Sequence, residues 1–201
     1  MAKVGVLALQ GAFREHREVL EVLGASVVEV RVPEDLIAVD ALVVPGGEST
    51  TMMRLLGTSA LREPLVTRLT DGMPAFGTCA GLILLAAEVR DGRPDQVPLG
   101  VLDVAVRRNG YGRQRDSFET DLAVTGLAGG AFPGVFIRAP VVEEVGESVE
   151  VLAEYDGRPV LVRQANIWGA TFHPELSGDL RVHQQFVQSI CTIIAKGENL
   201  S

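Results

Sequence analysis

The chain opens on a short apolar run at residues 3–9, Lys-Val-Gly-Val-Leu-Ala-Leu, which stops at Gln10-Gly11 and reads as a β-strand. Phe13, Val19, Leu20 and Leu23 follow at mixed three- and four-residue spacing and end at Gly24, the pattern of an amphipathic helix. Valine-rich runs at 26–32 and 41–44 predict two more strands, the second broken off by Pro45-Gly46-Gly47. Residues 50–56 and 61–69 carry helical periodicity. Residues 74–78 then form a buried-strand pattern that runs straight into Cys79, with a helix expected over 80–89. Strands that alternate with helices in this way predict an α/β fold, a mostly parallel central sheet with helices on both faces.

The second half changes rhythm. Runs at 101–107, 117–124, 135–137, 149–155, 159–164 and 168–172 read as strands joined by short turns, so an antiparallel extension of the sheet is expected there. A last helix over 180–194 places Val182, Phe186, Val187, Ile190 and Ile194 on one stripe, with Cys191 beside it as an expected small core residue. No repeat or linker interrupts the 201 residues, which predicts one domain over 1–201.

Composition narrows the function. Hydrophobic residues make up 47% of the chain, enough for a packed core. Neither a signal peptide nor an apolar run of about 18 residues is visible, so a cytoplasmic protein without a membrane span is expected. The net charge of −8 argues against nucleic acid, and the nearest basic groups, Arg107–Arg108 and Arg113–Arg115, are interrupted. Two cysteines and three scattered histidines suggest neither a disulfide framework nor a zinc site, so no metal and no cofactor are expected. His16 and His183 fall on helices and read as surface or structural residues.

The chemistry lies in Pro74-Ala-Phe-Gly77-Thr-Cys79-Ala80-Gly81-Leu. A cysteine between an apolar strand and an apolar helix, flanked by glycines in Gly-x-Cys-x-Gly, is the thiol version of a nucleophile elbow. The glycines are required where a side chain would strike neighbouring backbone. A thiol there sits at the carboxyl edge of the sheet and at a helix N-terminus, which favours the thiolate. The N–H of Ala80 is then placed to meet an oxyanion. A base appears downstream in Phe172-His173-Pro174-Glu175, where Pro174 biases His173 towards extended backbone and Glu175, two residues on, reaches the same side. Cys79, His173 and Glu175 thus form a candidate nucleophile, base and orienting carboxylate. Pro45-Gly-Gly-Glu-Ser-Thr-Thr, after the third strand, offers backbone N–H groups around Gly47 as a second oxyanion donor. The same segment also reads as a turn with Ser49 or Thr50 capping the next helix.

These segments resemble the class I glutamine amidotransferases, whose triad is Cys, His, Glu. Within that family the similarity is nearest to the glutaminases of the pyridoxal 5′-phosphate synthase branch. It rests on Gly5-Val-Leu-Ala-Leu-Gln-Gly-Ala, Arg108-Asn-Gly-Tyr-Gly-Arg-Gln-Arg-Asp-Ser-Phe-Glu and Val135-Phe-Ile-Arg-Ala-Pro, beside the shared segments around Gly47, Cys79 and His173. The resemblance implies a flavodoxin-like fold and L-glutamine as substrate, contacted by Gly47, Glu48, Ser49, Arg108, Ile137 and Arg138. It also implies a partner, a (β/α)8-barrel synthase subunit in a large hetero-oligomer. Gln10-Gly11 is a candidate for that interface, or else an ordinary turn. Competing readings are a glutaminase serving another synthase, a cysteine peptidase or deglycase-like protein on a related fold, and a non-catalytic scaffold.

Overall fold

The computed structural model describes residues 2–92, 96–108, 110 and 117–195. Its main sheet is built from β1 (Lys3–Leu7), β2 (Ser26–Val30), β3 (Ala41–Val44), β4 (Ala75–Thr78), β10 (Glu150–Tyr155), β11 (Arg158–Gln164) and β12 (Ile167–Ala170), in the order β10-β11-β12-β4-β3-β1-β2. The five strands from β12 to β2 are parallel, and β11 and β10 continue the sheet antiparallel. The α/β class and the antiparallel extension expected from the sequence are both present.

Alternation along the parallel strands divides the core in two. Leu42 and Val44 of β3 and Ala75 of β4 face one side, where they meet Met52, Leu56, Leu65 and Leu69 from α3 (Ser49–Thr58) and α4 (Arg62–Thr70). Ala41, Val43 and Phe76 face the other, against Leu20 of α1 (Phe13–Val22) and Val182, Phe186 and Ile190 of α6 (Arg181–Ala195). Period-two burial on both faces is why these strands read as nearly continuous apolar runs. Two smaller sheets complete the structure. One joins β5 (Ala86–Arg90), β6 (Leu102–Arg107) and β9 (Val141–Val145), and the other β7 (Ser117–Leu122) and β8 (Phe132–Ile137).

Three expectations need correction. The helix after Cys79, α5, covers only Ala80–Leu85, and the chain continues as β5. The apolar run 82–87 suits either state, and pairing of Ala86, Val89 and Arg90 with β6 decides for strand. A short helix, α2 (Pro33–Ile37), was not expected, although Pro at its first turn followed by Glu34 and Asp35 is a helix-start signal. Finally, Cys191 is exposed, not a core residue, and Ile194 is 43% exposed, because the buried stripe of α6 narrows to Val182, Phe186 and Ile190. The segment 111–116, with Tyr111, Arg113 and Arg115, lies outside the described residues.

Gly57 lies inside α3, is exposed, and a Cβ added there would meet nothing within 4 Å. Gly57→Ala should therefore stabilise the protein by about 0.5–1 kcal/mol through helix propensity, read as a raised urea midpoint with unchanged slope.

Candidate active site

Parallel neighbours share an edge at their carboxyl ends, and four of them converge here. β12 leads to His173, β4 to Cys79, β3 to Gly46-Gly47 and β1 to Gln10. They enclose a cavity of about 370 Å³ that also receives Glu48, Ser49, Ala80, Ile83, Arg108, Ile137 and Arg138.

Cys79 has φ +50° and ψ −105°, a conformation that L-residues rarely adopt and that typically costs roughly 1–3 kcal/mol. Arg138, across the cavity, also has positive φ, at 42°. The elbow is held by its glycines. A Cβ on Gly77 would lie 2.7 Å from the backbone of Gly81, and one on Gly81 would lie 1.9 Å from the carbonyl oxygen of Val44. Cys79 N–H donates to the Ala170 carbonyl at 2.8 Å, which ties the elbow to β12. Ala80 begins α5, so its N–H has no acceptor within the helix.

His173 follows β12 with φ −109° and ψ 84°, and Pro174–Leu176 forms a 3-10 turn. That turn, not the extended stretch expected, brings Glu175 Oε1 to 2.7 Å from His173 Nδ1. Burial lowers the imidazole's proton affinity, but hydrogen bonds to Cys79 and Glu175 and the charge of Glu175 outweigh it, raising His173 to about 10. Burial also opposes ionisation of Glu175, and the imidazoles of His16 and His173 overcome it, so its carboxyl lies below the usual range.

The Gly46-Gly47 loop is closely held. Ala12 N–H donates to the Gly46 carbonyl at 3.0 Å, Gly46 N–H to Thr78 Oγ1 at 3.1 Å, and Glu48 N–H to Gln10 Oε1 at 2.8 Å. A Cβ on Gly46 would stand 2.4 Å from His173 Cε1, and one on Gly11, at φ +94°, would stand 1.9 Å from the Gly46 carbonyl oxygen. Gln10-Gly11 is thus packed on this loop. The cap of α3 is neither Ser49 nor Thr50. Glu48 accepts from Thr50 and Thr51 N–H at 3.1 and 2.7 Å. Burial pushes the Glu48 carboxyl up, and these bonds win, holding it at about 2. Arg108 Nη2 stands 3.5 Å from Glu48, and Arg108 Nη1 donates to Gln96 Oε1 at 2.8 Å. Cation and anion therefore lie side by side at the cavity wall, the pair a zwitterionic amino acid requires. Among the described residues no group of three or more His, Cys, Asp or Glu is arranged to hold a metal ion.

A model of the SNO glutamine amidotransferase family matches residues 6–192. This chain belongs to that family. The family match spans every residue that lines the cavity. Among its relatives is the pyridoxal 5′-phosphate synthase subunit PdxT of Mycobacteroides abscessus, 57% identical over 187 residues, covering 93% of this chain and 96% of that one. The protein of the same name from Rhodococcus opacus is 53% identical over 194 residues, with the same coverage. A crystal structure of a glutamine amidotransferase superposes with a TM-score of 0.88 at 51% identity, covering 94% of this chain and 98% of that one.

His16 and His183 are not surface residues. Both are fully buried, His16 with its Nε2 3.3 Å from Glu175 Oε2. Burial lowers the proton affinity of both, that of His183 to about 3. A histidine neutral in the folded state and chargeable when unfolded gives stability that is complete above its unfolded pKa and lost as pH falls towards its folded one. Stability should therefore drop between about pH 6.5 and 5 by roughly 2 kcal/mol from His183 alone, with His16 adding in the same direction. His173, held above its ordinary value, works in the opposite sense as pH falls through its unfolded value and offsets a small part of this drop. Urea unfolding at the two pH values checks this, and equal midpoints would contradict it.

Proposed function

We propose that this chain hydrolyses the side-chain amide of L-glutamine to L-glutamate and ammonia, as the glutaminase subunit of a pyridoxal 5′-phosphate synthase. The observation that carries the reading is that Cys79 and His173, the latter bonded to Glu175, line the same cavity as the Arg108–Glu48 pair. His173, held as an imidazolium by Glu175, keeps the proton that Cys79 has given up, and the thiolate adds to the amide carbonyl of glutamine. The oxyanion is met by the N–H groups of Ala80 and Gly47. Collapse breaks the C–N bond as His173 protonates the leaving nitrogen, releasing ammonia and leaving a glutamyl thioester. Water, deprotonated by His173, hydrolyses the thioester to glutamate and frees the thiol.

Glu175 fixes the imidazole and balances its charge in each step. Glu48, Ser49, Arg108, Ile137 and Arg138 form the substrate pocket, with an arginine taking the α-carboxylate and Glu48 the α-ammonium. Ammonia is useful only if delivered, so the chain works docked on a (β/α)8-barrel synthase subunit in a large hetero-oligomer. Gln10 and Gly11, packed on the oxyanion loop, are the proposed point where that partner is felt.

The test is glutamate release from glutamine, by the chain alone and with the synthase subunit. Strong stimulation is expected. Activity without stimulation would discard the partner, and no activity with either, from folded protein with a reduced Cys79, would overturn the enzyme reading.

A further inference from the structure

Behind Glu175 lies a buried polar chain that the triad chemistry leaves unused. Glu175 Oε2 points away from His173, is buried, and has no hydrogen-bond partner of good geometry. His16 Nε2, from α1, lies 3.3 Å from that oxygen and 3.0 Å from Thr78 Oγ1. His16 Nδ1 lies 2.9 Å from Nε2 of His183, from α6. His183 Nδ1 is buried without a hydrogen-bond partner, and the ring packs edge-on against Phe76, 5.8 Å between centroids. Thr78 Oγ1 in turn accepts from the N–H of Gly46.

The charge on Glu175 selects the tautomers. A carboxylate oxygen at 3.3 Å favours N–H over a lone pair, so the proton of His16 sits on Nε2, shared between Glu175 Oε2 and Thr78 Oγ1. His16 Nδ1 is then an acceptor, and His183 must donate from Nε2. That leaves His183 Nδ1 as a bare lone pair, consistent with its lack of a partner. Complete burial keeps both rings uncharged, so the chain orients without adding a competing cation.

We propose that His16 is a positioning residue for the Cys79–His173–Glu175 triad, donating Nε2–H between the outer oxygen of Glu175 and Thr78 and thereby tying the carboxylate to the Gly46 loop, with His183 fixing its tautomer. The proposal rests on the triad reading above. Loss of the His16 donor leaves the Glu175 carboxylate free to turn away from His173. The His173 imidazolium is then less stabilised, and the Cys79 thiolate forms only at higher pH. Among the described residues, Glu15 on α1 is the further charged group that acts on His16, while Glu48, Arg108 and Arg138 line the cavity that holds Cys79 and His173.

Three measurements test it. In 15N-labelled full-length protein, His16 and His183 should both show the Nε2–H neutral tautomer between about pH 6 and 8, and an Nδ1–H tautomer at His16 would overturn the proposal. His16→Phe, assayed with the synthase subunit, should lose about 30-fold in kcat with KM for glutamine within about twofold, as for other outer-shell partners. Its midpoint for iodoacetamide alkylation of Cys79 should rise by about one pH unit. His16→Gln, which can present an amide N–H near the imidazole Nε2 position, should restore both. A folded His16→Phe protein with wild-type kcat and midpoint, or equal impairment of both variants, would refute the role. If His16→Phe does not fold, the tautomer and His16→Gln decide. Failure of the triad reading is separate and would appear as full activity in Cys79→Ala.

Discussion

Cys79→Ala should reduce glutamate release by roughly a thousandfold or more, in the presence of the synthase subunit, without loss of the folded state. The proposed reaction needs a covalent acceptor for the glutamyl group, and Cys79 carries the one thiol at the elbow between β4 and α5. Alanine retains the Cβ that already fits there, so the change removes the sulfur and little packing. His173→Asn should cost a comparable amount, because the thiol then has no base and the leaving nitrogen no acid. Since the two residues act as one unit, the double variant should be little worse than either single one. Near-wild-type turnover in either variant would remove the proposed chemistry.

The parts of this molecule that were legible in the sequence are those set by local geometry. Gly77, Cys79 and Gly81 announce an elbow because backbone crowding permits little else, and residues 75–78 and 80–85 have the expected strand and helix character. The fate of residues 86–90 was not legible. A parallel partner sixteen residues further on decides it, and an apolar run carries no record of that partner.

The histidine pair is a different case. His16 stands three residues after Phe13 and four before Leu20, and His183 seven before Ile190, so periodicity placed both close to the buried stripes. A polar residue on an apolar stripe is a sign of a buried partner. What the sequence could not supply was the partner itself, since Glu175 and Thr78 come from elements far away in the chain. The capping role of Glu48 was hidden for another reason: Ser49 and Thr50 are also good caps, and only the observed bonds choose between them.

Gly81→Ala should be the most damaging glycine substitution at the elbow, costing about 3 kcal/mol or more in stability. The added Cβ would fall 1.9 Å from the carbonyl oxygen of Val44 and 3.1 Å from that of Pro45, and these are backbone atoms that cannot rotate away. Relief requires α5 to lift off the end of β3. That movement pulls Cys79 and Ala80 away from the Gly46-Gly47 loop, so it separates the two halves of the proposed oxyanion hole. Stability and chemistry should therefore fail together, unlike in Cys79→Ala, where the fold survives. Urea unfolding and glutamate release measured on the same sample distinguish the cases. A Gly81→Ala protein with the wild-type urea midpoint would show that β3 and α5 can separate at little cost, which the 1.9 Å approach does not allow.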